Sequence, residues 1–507
     1  MSDYFRPRGD ITTVLDLTDR DAQDNTYFPI DTQDSWFHRE NIKTVFPTTS
    51  SVQEFTQRGP ADWGQKCTFE IGSLPAGDLL QGVFLQIKLG SWYNETVVNQ
   101  LYSAALSADI TNYATDYWTY INSLGSSIIE YADFIVNEQT IERITGEFIS
   151  THLKLNTDMN HFYGISTDGL GTIPYSYLQK TAALQTAFHP SRPFPIEDGT
   201  YFCLLPFFFL RTKLKEVFPL LSCNEGNVRI DIKLRPFEDV VRKYVGYRST
   251  CNDTPLNKEV TFATESSHTT ITTLQKAPAF RDFRIVTCCS LMSGLLRDKF
   301  MHQPFEQMVK LVQPFHFEEP LKYIVSKANP NSDTVEIQLP LEMNHPVVEL
   351  LWVFRRKAVK INNEWSNFTP AIGVESSPSK VFPPWLSYGT IRINGQEIIA
   401  ADGNWFREHI ANKHSGGIIS YESCIYGYSF AEYPSEHQPS GTANASRSTS
   451  ITLNLKVNTP IAADISTFSS PCVFEPAAIG GWEVFVYSVY YNWLRFENGL
   501  CNRMFSS

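Results

Sequence analysis

Apolar and polar side chains alternate with a period of two along much of the chain. Val83, Leu85, Ile87 and Leu89 share one parity, and Val228, Ile230, Ile232 and Leu234 are separated by Arg229, Asp231 and Lys233. The pattern returns at Val335, Ile337 and Leu339 around Glu336 and Gln338, and at Ile451, Leu453, Leu455 and Val457 around Thr452, Asn454 and Lys456. Successive side chains of a strand point to opposite faces, so each run predicts a strand with one buried and one polar face. Helical spacing is confined to residues 145–155, 295–308 and 404–412, short enough to be insertions in loops. Strands joined by Ser/Thr/Asn/Pro-rich connections instead of regular helices predict an all-β chain of antiparallel sandwiches with Greek-key crossings. Two polar connections, 156–200 and 242–276, are longer than connectivity requires, and loops of that length tend to be functional or displayed.

An internal repeat gives the domain count. Asn137, Gln139, Ile141 and Gly146 recur as Asn394, Gln396, Ile398 and Gly403 at one offset (394 − 137 = 257). Each copy reads as a hairpin with Asn at its tip, where a positive φ is tolerated, followed by a Gly before a short helix. A second echo pairs the aromatic and β-branched runs 283–292 and 482–491, each leading into a short amphipathic tail. If each run closes a domain, the first ends near residue 303. The expected organisation is an N-terminal arm over 1–45 and two similar β domains over 46–303 and 304–507.

Composition supports a folded, globular protein and disfavours acidic partners. With 42% hydrophobic, 13% aromatic and 19% charged residues over 507 positions, the chain has the make-up and length of two to four globular domains. The net charge of −12 argues against wrapping nucleic acid, which needs a basic face to displace counterions. The longest strongly apolar stretch, 201–210, is interrupted by Pro206 and closed by Arg211 and Lys213, too short to span a bilayer. The start lacks the apolar centre of a secretory signal, so synthesis and retention in the cytosol are expected. Nine cysteines, an odd number with no Cys-x-x-Cys pair, predict reduced and mostly buried thiols.

Catalytic signatures are missing. There is no Gly-x-Ser-x-Gly elbow, no Gly-x4-Gly-Lys phosphate loop and no His-Glu-x-x-His helix, and the pair Gly169 and Gly171 lacks the third glycine of a cofactor cradle. His409 and His414 are poorly spaced for one helix face, and none of the eleven histidines has a partner two positions away on a strand. The adjacent Glu318 and Glu319 identify no glycosidase, whose acids come from distant strands. The densest basic run, Arg355, Arg356, Lys357 and Lys360, reads as a solvated strand end. Arg8-Gly9-Asp10 is unremarkable in a chain of this length. No catalytic residue, cofactor or metal ligand is assigned. Sequons stand at Asn94, Asn252, Asn367 and Asn444, of which Asn94, Asn252 and Asn367 are the candidate glycosylation sites, although secretory modification is not expected without a signal.

One segment is specific. Tyr428-Ser429-Phe430 leads to Pro434, Glu436, His437-Gln438-Pro439-Ser440-Gly441, then Asn444, Ser446 and Arg447. It resembles the signature of the major capsid proteins of nucleocytoplasmic large DNA viruses. Further blocks are similar in order and spacing: Gly77-Asp78-Leu79-Leu80, Asn122-Ser123-Leu124-Gly125, Gly146-Glu147, Leu205-Pro206-Phe207-Phe208, Leu234-Arg235-Pro236-Phe237, Asn344-His345-Pro346-Val347, Trp352-Val353 and Asp402-Gly403. The chain departs from the family at Asn137-Glu138, where a Gly-Gly hairpin tip is usual, and Glu138 leaves the turn type open.

The resemblance implies two tandem jelly-roll β-sandwiches with short helices in long loops, and a structural protein, not an enzyme. Three copies would form a pseudo-hexagonal capsomer that tiles an icosahedral shell, built in the host cytoplasm and ending in the virion. His437, Gln438, Pro439, Ser440, Gly441, Asn444 and Arg447 would either hold a long crossover in place or contact a neighbouring subunit. The arm would order on assembly against neighbouring capsomers or minor capsid proteins, with no direct nucleic-acid contact and membrane contact at most indirect. Two other readings stay open at this point. One is a glycan-binding or glycan-cleaving jelly roll, favoured by 10 Trp and 23 Tyr; the other is a minor, penton-like or scaffolding protein of the same virus class.

Overall fold

The computed structural model describes residues 48–72, 77–89, 117–121, 124–156, 200–211, 217–244, 277, 279–318, 334–357, 363, 365–368, 385–414, 424–458 and 482–505. The arm 1–45, the Arg8-Gly9-Asp10 tripeptide, Gly169, Gly171, Lys360, Asn94, Asn252 and most of the two long connections lie outside the described residues.

The alternating runs become strands. In the first half these are β1 (Thr48–Thr56), β2 (Lys66–Glu70), β3 (Leu79–Leu89), β4 (Tyr117–Tyr120), β5 (Ile129–Val136), β6 (Gln139–Thr145), β7 (Thr200–Leu204), β8 (Val228–Leu234), β9 (Val241–Tyr244) and β10 (Phe280–Met292). They hydrogen-bond in the orders β1-β10-β3-β7 and β2-β8-β5-β6, with β4 and β9 paired apart. In the second half follow β11 (Phe305–Phe317), β12 (Thr334–Pro340), β13 (Pro346–Arg356), β14 (Leu386–Ile393), β15 (Gln396–Asp402), β16 (Ile425–Ser429), β17 (Ala443–Asn444), β18 (Ile451–Asn458), β19 (Trp482–Glu497) and β20 (Leu500–Arg503). Their orders are β11-β19-β13-β16, extended by β17 on β13 and β20 on β19, and β12-β18-β14-β15. The second set thus reproduces the first place for place, with the opening and closing strands of each half adjacent in one sheet, as in a jelly roll. The antiparallel sheets form two sandwiches. Among the described residues, no sheet mixes strands from the two halves.

Burial follows the sequence pattern. Val83, Leu85, Ile87 and Leu89 of β3 and Ile451, Leu453, Leu455 and Val457 of β18 are all buried, with half-buried polar residues between the latter. Most of the buried apolar side chains of both sandwiches join in one core, beside a small separate cluster of Val348, Ala431 and Tyr491. Short helices sit between strands: α1 (Leu124–Ser127), α2 (Gly146–Asn156), α3 (Phe208–Arg211), α4 (Gly294–His302) and α5 (Gly403–Lys413). Of the expected helices, that over 295–308 is too long, because α4 stops at His302. Gln303 has turned extended (φ −99°, ψ 131°) ahead of Pro304, which disfavours helix in the residue before it. From Phe305 the chain pairs with β19 instead.

The duplication is visible in backbone detail. The tips of the β5–β6 and β14–β15 hairpins have φ of 51° and 64° at Asn137 and Glu138, and of 52° and 80° at Asn394 and Gly395. Both are two-residue turns of the I′ kind, whose twist suits the flanking strands. This settles the turn at Glu138, whose left-handed backbone costs about 1 kcal/mol. Its carboxylate accepts a hydrogen bond from Arg229 Nη1 at 2.7 Å. Bulges follow at equivalent points, Phe134/Ile135 and Ile391/Arg392 (391 − 134 = 257). Gly146 and Gly403 then open α2 and α5 where an added Cβ would overlap the carbonyl oxygens of Ile129 and Leu386, again 257 residues apart (386 − 129).

Gly146→Ala and Gly403→Ala should each lower stability by about 1–3 kcal/mol through overpacking against that carbonyl. Gly294→Ala, where nothing lies within 4 Å of the new methyl, should be neutral or mildly stabilising in α4. Urea midpoints of the three variants provide the check, and equal midpoints would contradict the assignment.

Candidate assembly interface: the buried junction and the signature crossover

Two opposite charges bring the sandwiches together. Glu147 lies in the first turn of α2, directly after the first hairpin, and its Oε1 accepts from Arg235 Nη2 at 2.9 Å and from Arg355 Nη1 at 2.8 Å. Arg235 ends the β8 segment of the first sandwich, whereas Arg355 belongs to β13 of the second. Arg355 also donates through Nη2 to Glu483 of β19 at 2.9 Å. All four side chains are buried, Arg355 at 3% exposure and Glu483 at 0%. The Trp365 ring lies 4.0 Å from the Arg235 guanidinium and 5.2 Å from that of Arg355, and its Nε1 donates to the Asp239 carbonyl at 2.7 Å. Burial alone would raise the Glu147 carboxyl, but Arg355 and Arg235 outweigh it and hold the pKa at about 2.

Other polar contacts cross the same junction. Glu142 Oε2 accepts from the Phe208 amide at 2.8 Å and Oε1 from the Val312 amide of β11 at 3.3 Å. His414, just past α5, places Nδ1 3.1 Å from Asn156 Oδ1 at the end of α2 and Nε2 2.9 Å from Glu349 Oε2 of β13. His409 is elsewhere, stacked between Trp405 and Tyr428 at 4.6 and 5.4 Å, so the two histidines share no ligand. The basic run is corrected at Arg355: it is interior, drawn in by Glu147 and Glu483, and not a solvated strand end. Lys357 does reach the rim, 3.2 Å from Glu318.

His316, Glu318 and Glu483 bring their ligand atoms within 4.8 Å of one another. Lys357 and Arg355 already face the two carboxylates, which makes this the outer end of the ion-pair cluster.

The signature segment forms the crossover from β16 to β18. Buried Lys310 of β11 reaches across and donates through Nζ to the carbonyls of Pro434, at 2.8 Å, and Glu436. Ser440 Oγ accepts from the Tyr433 amide at 2.8 Å. Gly441 has φ 149°, and an added Cβ would stand 2.6 Å from the Phe430 carbonyl oxygen. The chain next pairs as β17 with Pro346 and Val347, and the Ala445 amide donates to the His345 carbonyl at 3.0 Å. His345 itself is left-handed, φ 69°, and its amide donates to Ser446 Oγ at 2.7 Å. Ser440 and Gly441 therefore act inside the subunit. Gln438, Pro439, Asn444 and Arg447 are exposed, and His437 is half-buried. Tyr433, 53% exposed, stands on the same crossover. Asn367 is half-buried beside Trp365. Sequence reasoning missed Lys310 and Glu483, whose signal was a charge within an otherwise apolar strand, as in Val309-Lys310-Leu311 and Trp482-Glu483-Val484; it named Glu147 and Arg355 but not their buried pairing.

A family model for the large eukaryotic DNA virus major capsid protein matches residues 297–502, and one for the major capsid protein N-terminus matches residues 35–273. Among solved structures, the capsid of the virus PBCV-1 is 16% identical with a TM-score of 0.63, over 92% of this chain and 98% of that one. The Faustovirus major capsid protein is 10% identical with a TM-score of 0.60, over 96% and 97%. A chain of the Sputnik virophage is 10% identical with a TM-score of 0.54, over 96% and 93%. At these identities the structures speak for the fold. No curated protein sequence matches the chain.

Glu147→Gln should cost about 3–5 kcal/mol, because it strands buried guanidinium charge. A carboxyl held at about 2, against an ordinary 4.5, contributes stability that is complete above pH 4.5 and lost as pH falls towards 2. The gap between wild type and variant, read from denaturation midpoints, should accordingly be widest near neutrality and close across that window.

Proposed function

Since the chain belongs to the major capsid protein family of large eukaryotic DNA viruses, and so forms the capsid as a structural protein, we propose that it does this as homotrimeric capsomers. The observation that carries the reading is the duplication itself: two like sandwiches, fused in one chain and locked by buried charge, give six similar units in three copies. Six similar units make a near-hexagonal block, and such blocks tile a flat facet with few distinct contacts.

The domain limits suited to this reading are 46–303 and 304–507, preceded by the arm 1–45. The first sandwich's strands end at Met292 and the second's begin at Phe305, on either side of α4, which supports a boundary there. In the capsomer, Gln438, Asn444 and Arg447, exposed beside Tyr433, meet the adjoining subunit, while His437 steadies the crossover. Tyr and Arg on an exposed rigid loop are the side chains from which interface hot spots are built. Neighbouring capsomers and minor capsid proteins are the further partners, with the arm as one contact. A net charge of −12 supports leaving DNA packing to other components. Assembly in the host cytoplasm fits a chain whose described cysteines are all free thiols.

Native mass spectrometry should show a species of about 173 kDa, three times 57.7 kDa, and a persistent monomer would reject the capsomer. The double variant Gln438→Glu with Arg447→Glu should shift the population to monomer while leaving the monomer's melting unchanged. Trimers of undiminished stability would place the contact elsewhere.

A further inference from the structure

Two cysteines far apart in sequence face each other where the halves of the chain meet. Cys223 closes the 3-10 turn Leu220–Cys223 of the first half, and Cys501 lies on β20 in the second. Both are buried, at 3% and 0% exposure, both are free thiols, and the neighbouring Cys501 thiol together with burial raises that of Cys223. The backbone holds them there independently. The Glu225 amide donates to the Gly499 carbonyl at 3.2 Å, which brings the turn carrying Cys223 against the start of β20. Asn137 Nδ2 donates to the Cys501 carbonyl at 3.1 Å and the Arg503 amide to Gln139 Oε1 at 3.4 Å, fixing β20 against the first hairpin.

We propose that Cys223 and Cys501 are a disulfide site: under oxidising conditions they join and staple the first sandwich to the β19–β20 hairpin. A buried cysteine ordinarily serves as a small apolar filler. Here two buried thiols from different halves stand on segments joined by a backbone hydrogen bond, and a bond between them would close a loop of 278 residues (501 − 223). A cross-link over so long a loop removes more freedom from the unfolded chain than a local one.

The oxidant is a small-molecule disulfide such as oxidised glutathione. Cys501 loses its proton and attacks one sulfur of the oxidant, forming a mixed disulfide and expelling one glutathione thiolate. Cys223 then loses its proton and attacks the Cys501 sulfur, expelling the second. Two protein thiols are oxidised by two electrons, one disulfide is reduced to two thiols, and the two protons end on the glutathione pair. Cys501 goes first because β20 is a four-residue edge strand paired with β19, which frays more readily than the turn carrying Cys223. The neighbouring Cys501 thiol and burial hold the Cys223 thiol well above its usual range, so it stays protonated until that opening. The timing rests on the capsid reading: thiols during assembly in a reducing cytosol, the bond once particles reach an oxidising exterior. The bond itself does not.

The purified full-length chain is incubated with oxidised glutathione, and peptides are mapped by mass spectrometry without reduction. The expected result is a peptide pair joining Cys223 to Cys501, a loss of two of the nine thiols, and a melting temperature higher by about 3 °C that dithiothreitol reverses. Cys501→Ser should abolish both the pair and the shift. Retention of all nine thiols in the folded protein, or linkage through Cys251 or Cys472 instead, overturns the proposal. A second arm compares particles kept anaerobic with particles exposed to air. A bond that forms in the isolated chain but never in particles removes the timing and leaves the site, and the trimer measurement above is independent of either arm.

Discussion

Glu147 and Arg355 are opposite charges buried by different sandwiches, and neither is tolerable in the interior without the other. Desolvating a carboxylate or a guanidinium costs several kcal/mol, which their mutual attraction offsets only while both sandwiches hold their relative position. Arg235, Glu483 and the Trp365 ring complete the surroundings, so the pair belongs to a network that one geometry satisfies. An apolar contact of the same area would tolerate sliding. A charge cluster does not, and it ties the two sandwiches to one relative geometry.

The same network shows where reading a sequence stops. Alternation marks strands because one face of each sheet is wet, and the offset of 257 survives in tip, bulge and glycine because backbone sterics constrain all three. Those features are local, and the tip and the glycine were legible, whereas the bulge was not read. Arg355 is not local: its run of basic neighbours resembles a solvated strand end, and only Glu147 and Glu483, each more than a hundred positions away, make it an interior residue. Lys310 is similar, a cation whose acceptors are backbone carbonyls of the crossover and carry no side-chain signature. The overlong helix at 295–308 failed for a smaller reason, since Pro304 outweighed an amphipathic pattern that continues past it.

The signature crossover divides its residues between two tasks. Ser440 and Gly441 are consumed by the turn, one as an acceptor for a backbone amide and the other because no side chain fits beside Phe430. Gln438, Asn444 and Arg447 are left facing outward on a loop anchored from below by Lys310. A loop held at its base presents its exposed side chains at little entropic cost, a condition favourable to specific docking. The fold is kept at 16% and 10% identity to the PBCV-1 and Faustovirus chains, so pattern and a few fixed backbone points specify it more than residue identity does.

The two hairpin tips have diverged in what they hold. Asn137 reaches over to the Cys501 carbonyl of the other sandwich, whereas its counterpart Asn394 stays within its own, its Oδ1 accepting from the Thr449 amide at 2.8 Å and the Thr449 hydroxyl at 3.0 Å. Equivalent in shape, the copies are not interchangeable in bonding. The block of three chains proposed above would therefore have six corners in outline but two alternating kinds of corner. Its edges would come in two sorts, so that rotating it by one corner in the shell would leave the silhouette unchanged and every contact wrong.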